Sequence, residues 1–256
     1  MTPTEAARRH FLARTLAVGA GALLAGCDRL SQTEWFPRFL QRAEALTRRS
    51  QRLVTSRLSM AQEFSAADLS PRFRSNGTAD PDNPQYQALA ASGFAGYRLT
   101  ISGLVEAPTT FSLGELRTMP SRTQITRHDC VEGWSAIGQW KGVPLGAVMA
   151  RVQPKPEARY VVLHCADPMD DAGTRYYESI DMEDAYHPQT LLAYELNGQP
   201  LPIANGAPIR LRVERQLGYK MAKYVMAIEL VDSFEQIGGG KGGYWEDQGY
   251  EWYAGI

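Results

Sequence analysis

Cysteine is the residue type through which this 256-residue chain could do its most distinctive chemistry. The sequence contains three, Cys27, Cys130 and Cys165, too few for a disulfide framework. Cys165 ends the apolar run 160–165, where a buried, inert thiol is expected. Cys130 instead lies in a polar turn after an extended segment, where a thiol can face a pocket. The sequence therefore singles out Cys130 as a redox thiol, a nucleophile or a ligand for a soft metal.

The sequence around Cys130 does not complete a metal site by itself. No CxxC or HxxxH spacing indicates a zinc site, and no CxxCH segment indicates haem attachment. A single protein thiolate would suffice for a metal that a cofactor already holds. From these residues alone the three roles of the thiol remain open.

Several ordered segments resemble one family. RHDCVEGWS, residues 127–135, resembles the molybdenum-ligand loop of the sulfite oxidase family, in particular of its methionine-sulfoxide-reductase branch. Residues 191–202 resemble the family's central hairpin, and residues 243–250 resemble its closing tail. Its two pterin-binding segments are matched by residues 205–210 and 218–223. The resemblance covers roughly residues 68–256. It implies an α+β fold of mixed β-sheets with short helices, the sulfite-oxidase-type molybdopterin-binding fold.

The resemblance also implies a molybdenum–molybdopterin cofactor and its contacts. Cys130 would be the protein ligand of molybdenum, and Tyr176 would be a catalytic residue beside the metal. Arg210 and Lys223 would hold the phosphate of the cofactor, because a phosphate needs fixed cations and N–H donors. His128 is expected in the cofactor pocket because it precedes Cys130 by two residues. The remaining implied cofactor contacts are Asn76, Cys165, Asn205, Met221 and Ala222.

One departure from the family bears on the substrate. Sulfite oxidases bind their dianionic substrate with arginines, and those positions fall here on Ser75, Ser135 and Lys220. We therefore expect an oxidoreductase that transfers an oxygen atom to or from a small molecule, and that reduces neutral S-oxides or N-oxides. The alternatives are a sulfite-oxidase-like dehydrogenase, a non-catalytic lipoprotein binding module of the same fold, and a metal-free thiol-redox lipoprotein.

The first 26 residues have the features of an export signal. Arg8 and Arg9 precede an apolar stretch, residues 15–26, that is too short to span a bilayer. LAGC, ending at Cys27, matches a bacterial lipoprotein box. These features predict Tat-type export and a lipid on Cys27, which would hold the protein on the periplasmic side of the inner membrane. A cleaved signal with an incidental Cys27 is the alternative.

The mature chain is expected to divide into two parts. Residues 27–67 would form the anchor and a basic amphipathic helix over 34–62, either against the membrane surface or packed on the core. Residues 68–256 would form the molybdopterin-binding oxidoreductase domain. Its predicted strands are residues 97–102, 122–128, 160–165, 191–195, 209–213 and 224–230, and its predicted helices are residues 113–119, 145–151 and 181–186.

Charge and domain content restrict the partners. The chain carries 27 Lys and Arg against 28 Asp and Glu, a net charge of −1, so nucleic-acid binding is not expected. Because no cytochrome-like or dimerisation segment is recognisable, we expect a monomer that exchanges electrons with a separate protein. That partner would be a membrane b-type cytochrome or a periplasmic cytochrome c.

Overall fold

The computed structural model describes Thr33, residues 35–54 and residues 56–256. The predicted signal segment and Cys27 lie outside these residues. The chain separates into two compact units, one ending at Val54 and one from Thr55 to Ile256. The described part of the first unit is mainly helix α1 (Trp35–Val54). Within the described residues, no helix combines the length and apolar character needed to cross a bilayer.

The second unit contains short helices and strands in a mixed order. They are α2 (Pro84–Ala91), β1 (Arg98–Gly103), β2 (Thr109–Ser112), α3 (Leu113–Thr118), β3 (Arg122–Cys130), β4 (Trp134–Pro144), α4 (Leu145–Val152), β5 (Tyr160–Pro168), β6 (Arg175–Asp181), α5 (Met182–Ala185), β7 (Leu191–Leu196), β8 (Gln199–Pro200), β9 (Arg210–Arg212), β10 (Val225–Val231) and α6 (Tyr244–Asp247). Single 3-10 turns cover Ala66–Asp68, Ile203–Asn205 and Gly218–Lys220.

The strands form two five-stranded sheets. The first has the order β2-β1-β10-β5-β6, in which β1 and β10 run parallel. The second has the order β3-β4-β7, and both β8 and β9 pair with β7. One large apolar cluster draws on both sheets and on α4, through side chains such as Leu99, Leu192 and Met149. This arrangement confirms the predicted α+β class with mixed sheets and short helices.

The N-terminal segment differs from the sequence-based expectation. Helix α1 ends at Val54, eight residues before the predicted end. The backbone N–H of Ala61 donates to Gln189 at 2.7 Å, and that of Phe64 donates to the carbonyl of Ile125 at 2.9 Å. These bonds attach the extended segment to the domain, so a continuing helix would lose them. The second unit consequently begins at residue 55, whereas the predicted domain begins at residue 68.

Candidate active site

Cys130 is the last residue of β3, where the hairpin with β4 turns. It pairs with Trp134, and Gly133 closes the turn with a φ of +83°, which favours glycine. The half-buried thiol lines a cavity of about 240 Å³. Burial raises the pKa of the Cys130 thiol. The hairpin therefore presents the thiol to a cavity, as the sequence predicts.

Two cations lie at this cavity or next to its lining residues. Arg210 is fully buried, and its guanidinium donates to the carbonyls of Asn205 at 3.0 Å and Met221 at 3.2 Å. Burial and the neighbouring Arg212 lower the pKa of Arg210 to about 9, so it remains a cation at neutral pH. Lys223 lines the cavity directly. Burial and Arg210 lower the pKa of Lys223 to about 7.

The segment before α2 crosses over Lys223. The Lys223 ammonium donates to the carbonyls of Asn76 at 2.6 Å, Ala204 at 3.0 Å and Thr78. The side chain of Asn205 donates to the carbonyl of Arg74 at 3.4 Å. Both predicted asparagines therefore lie beside the Lys223 end of the cavity, and Asn76 lines it.

His128 is completely buried behind Cys130. The guanidinium of Arg212 lies 3.0 Å from Nδ1 of His128, and a guanidinium can only donate. Nδ1 is therefore the acceptor, and the proton of the neutral imidazole is on Nε2. Burial first, then Arg212, Arg210 and Lys223, hold the pKa of His128 well below its ordinary value.

The structure separates the other predicted contacts into two groups. Met221 and Tyr176 line the cavity with Cys130, and the backbone of Ala222 accepts from Leu211 at 2.8 Å beside it. Cys165 does not line this cavity. Cys165 is buried in the apolar core, and the residue borders a second cavity of about 950 Å³ that also borders Tyr176. A cofactor contact at Cys165 stays a prediction.

None of the three positions that replace the substrate arginines supplies a free cation. The hydroxyl of Ser75 donates to Ala204, and that of Ser135 donates to Asp129. Lys220 is fully buried between the carboxyl groups of Glu178 and Glu246. An added dianion would therefore find no compensating charge at these positions.

Sequence reasoning missed several residues of the site. Asp167 lines the cavity, and burial raises its pKa to about 6. Trp245 and Tyr250 also line it, with ring centroids 5.3 Å apart and planes at 28°. Charged residues within predicted strands, such as Arg210 and Arg212 in residues 209–213, were an available signal for polar networks. The sequence alone did not show which groups these charged side chains pair with.

Comparison with known proteins decides the family. Residues 87–237, more than half of the chain, match the model of the oxidoreductase molybdopterin binding domain. The chain belongs to this family. The predicted family, the oxidoreductase class and the molybdenum–molybdopterin cofactor are thereby confirmed.

Relatives extend the match. A protein of Azospira oryzae, whose name marks it as a candidate protein-methionine-sulfoxide reductase subunit (YedZ1), is 38% identical over 97% of this chain and 88% of its own length. The protein-methionine-sulfoxide reductase catalytic subunit MsrP of Ralstonia nicotianae is 39% identical over 53% of this chain. That match spans 44% of the MsrP chain, so this molybdopterin-binding domain covers under half of it. The sulfane dehydrogenase SoxCD of Paracoccus pantotrophus aligns over 54% of this chain and 39% of its own, at 26% identity and a TM-score of 0.48.

The residues of this chain fit the family's cofactor. Within the described residues, Oδ1 of Asn76, Nε2 of His128 and Nε of Arg210 are buried without a hydrogen-bond partner. Such atoms normally have one, so these three are suited to receive polar atoms of a ligand. The Cys130 thiol offers a soft ligand to a metal, and Arg210 and Lys223 offer charge to a phosphate.

Proposed function

We propose that this protein removes the oxygen atom of a sulfoxide, with methionine sulfoxide in proteins as its foremost substrate. The electrons would come from a separate protein. When bound, the molybdenum cofactor supplies the two-electron, oxygen-transferring chemistry, and the chain supplies the pocket around it.

The charge balance of the cavity carries this proposal. Lys223 is the only cation among the described lining residues, and Glu132 and Asp167 line the same cavity. The phosphate of the cofactor would use the charge of Lys223 and Arg210. A sulfite dianion would then be desolvated without a partner, which is costly, whereas a neutral sulfoxide needs none.

The outer wall of the cavity suits a thioether side chain. Trp245 and Tyr250 stack on each other, and Tyr219 meets Tyr250 edge to face with centroids 5.3 Å apart. Met169 lines the cavity with them. Sulfur contacts with aromatic rings contribute about 0.3–1.5 kcal/mol each, so this wall favours a methionine-like group.

Six of the predicted residues have a definite task in this proposal. Cys130 would hold the metal, while Arg210 and Lys223 would hold the phosphate. His128 presents its Nε2–H, and Asn76 its side-chain carbonyl oxygen, to polar atoms of the cofactor. Tyr176 lines the cavity and would offer its hydroxyl as a proton relay to a bound substrate.

The substrate is tested on protein purified from a host that makes the cofactor. With a reduced viologen dye as electron donor, we expect turnover of free and peptide-bound methionine sulfoxide, and of dimethyl sulfoxide more weakly. Sulfite with oxidised cytochrome c is the matched reverse assay, in which we expect no turnover. Sulfite oxidation without sulfoxide reduction would instead support a sulfite-oxidase-like dehydrogenase.

We further propose that the protein is exported by its Tat-type signal and held on the periplasmic membrane surface. Helix α1 supports this location, because its exposed apolar residues share one face and its sequence is rich in arginine. Those exposed residues are Trp35, Phe39, Leu46 and Leu53. An amphipathic helix of this kind adds a second membrane contact to the proposed lipid on Cys27.

Cell fractionation tests this location. The full chain should sediment with membranes and be accessible to protease in spheroplasts. Cys27→Ala should move the protein to the soluble periplasmic fraction, and Arg8→Lys combined with Arg9→Lys should retain it in the cytoplasm. A Cys27→Ala variant that stays on the membrane would contradict lipid attachment.

A further inference from the structure

A buried ionic triad lies directly behind the hydroxyl of Tyr176. It consists of Lys220, from the 3-10 turn Gly218–Lys220, with Glu178 of β6 and Glu246 of α6. All three side chains are at most 1% exposed. Two carboxylates and one ammonium would leave a net negative charge in the interior, which is unfavourable. One additional proton makes the triad neutral.

The hydrogen bonds show where that proton lies. The hydroxyl of Tyr176 donates to the carbonyl of Tyr219 at 2.5 Å, and its oxygen also lies 3.3 Å from Oε2 of Glu178. A phenol has one proton, so the shorter bond takes it. The contact with Glu178 is then a hydrogen bond only if the carboxyl group donates.

The other oxygen of Glu178 already has its donors. Oε1 accepts from Nζ of Lys220 and from the backbone N–H of Ser179 at 2.7 Å. Two carboxyl oxygens of the triad therefore remain for a proton, Oε2 of Glu178 and Oε2 of Glu246. The buried Oε2 of Glu246 has no hydrogen-bond partner, so a proton there would have no acceptor, whereas a proton on Oε2 of Glu178 can be donated to the oxygen of Tyr176. Burial raises the pKa of Glu178 well above its ordinary value, Lys220 opposes this, and Glu246 adds to it.

The titratable groups around Glu178 come from four elements. On β6 they are Tyr176 and Tyr177, and on β5 the neighbour is Cys165. The 3-10 turn contributes Lys220, and α6 contributes Glu246. Burial raises the pKa of Tyr176 and of Cys165 well above their ordinary values, so both stay neutral at physiological pH.

We propose that Glu178 holds a proton for the reaction and passes it through the hydroxyl of Tyr176 into the Cys130 cavity. This rests on the proposed function, since sulfoxide reduction consumes two electrons and two protons and yields a thioether and water. The separate electron donor provides both electrons. Glu178 provides one proton and becomes a carboxylate paired with Lys220, and solvent at the cavity mouth provides the other. The same path returns a proton to Glu178 after product release.

Glu178 acts through Tyr176 and does not touch the substrate, so it is a positioning residue that also holds a proton. Glu178→Gln is the informative variant, because a glutamine has the shape of a protonated glutamic acid. Its oxygen can accept from Lys220 and its amide can donate to Tyr176, but it releases no proton. We therefore expect normal folding and cofactor content, an unchanged KM, and a kcat lowered about 10²-fold, in the range typical of general acid catalysis.

Infrared spectroscopy provides a readout without turnover. At pH 8 the wild-type holoenzyme should show the C=O stretch of a protonated carboxylic acid, shifted in D2O. Glu178→Gln should lose this band. Tyr176→Phe should keep this band but have a lowered kcat. Glu195→Gln, which alters a partly exposed ion pair outside the cavity, should change neither this band nor kcat.

The outcomes separate the two proposals. Absence of the carboxylic acid band from the wild type, or full kcat in Glu178→Gln, would overturn the proton-holding role. If Glu178→Gln does not fold, the wild-type band and the Tyr176→Phe kinetics still decide it. A wild type that has the band but reduces no sulfoxide would overturn the proposed function and leave a protonated Glu178 in place.

Discussion

The guanidinium of Arg212 forms two parallel hydrogen bonds with the carboxylate of Glu214, at 2.9 and 2.7 Å, and neither side chain is exposed. The third nitrogen of Arg212 donates to His128 at 3.0 Å. The guanidinium also lies over the ring of Trp140, 4.3 Å from its centroid. This ion pair therefore fixes the imidazole tautomer of His128, two residues before the proposed metal ligand.

Glu214→Gln should destabilise the protein strongly. It leaves the buried charge of Arg212 without a counterion, and breaking a buried pair in this way costs about 3–5 kcal/mol. Glu195→Gln removes the partner of Lys141 in a partly exposed pair, for which about 0–1 kcal/mol is expected. Urea unfolding of both variants measures the difference. Equal midpoints for the two variants would show that the Arg212 charge is compensated elsewhere.

Cys130 and Cys165 provide a matched pair for the metal. Cys130→Ser should lower the molybdenum content of the purified protein at least about tenfold, since even outer-shell changes at metal sites cost 10–100-fold in affinity. Cys165→Ser removes a core thiol of a residue that does not line the Cys130 cavity, and the molybdenum content should stay that of the wild type. Elemental analysis of protein from a cofactor-producing host checks both. Loss of metal in Cys165→Ser instead would transfer the ligand role to that thiol.

Strands with a recognisable apolar or alternating pattern were predictable from the sequence, whereas β4 and β6 were not. Residues 160–165 lie in β5, and the predicted strand 224–230 matches β10 except for Tyr224, which precedes it. Strand β6 was missed because its buried side chains include the polar Glu178 and Ser179. Their partners lie on distant segments, so the hydrophobic pattern that identifies a strand is absent. Strand β4 was missed for a different reason, since it contains Gly138 and Gly142.

The same distinction applies to the site. Cys130, Lys223 and Arg210 were identified through family resemblance and lie around or directly behind one cavity. The triad of Glu178, Lys220 and Glu246 joins residues up to 68 positions apart in the chain. No local pattern encodes such a pairing, because it depends on how the two sheets and the C-terminal tail pack.

Gly142 marks a close approach of β4 to β7, and an added methyl group should disrupt it. A Cβ at residue 142 would lie 2.3 Å from the carbonyl oxygen of Leu192, which is backbone and cannot move aside easily. Gly142→Ala should cost about 1–3 kcal/mol, the range for overpacked positions. Gly114→Ala in α3 is the control, since its nearest atom would be 3.8 Å away and alanine favours a helix by up to about 1 kcal/mol. If the urea unfolding midpoints of Gly142→Ala and Gly114→Ala shift in the same direction, the close approach of β4 to β7 at Gly142 is contradicted.

Cofactor loading should depend on pH through Lys223. In the cofactor-free protein its pKa is about 7, because burial and Arg210 disfavour the charge. A bound phosphate raises that pKa, so binding takes up a proton above pH 7 and affinity falls as pH rises. The phosphate itself, with a second pKa of about 6, is already a dianion in this window and does not reverse the trend.

Reconstitution of cofactor-free protein between pH 6.5 and 9 checks this, with pterin retained after gel filtration measured by fluorescence of its oxidised form. Wild-type loading should decline above about pH 7, in line with the pKa of Lys223. Lys223→Arg keeps its charge throughout this range and should load equally at every pH, whereas Lys223→Met should load poorly at all of them. A decline of the same steepness in Lys223→Arg would assign the pH dependence to another group.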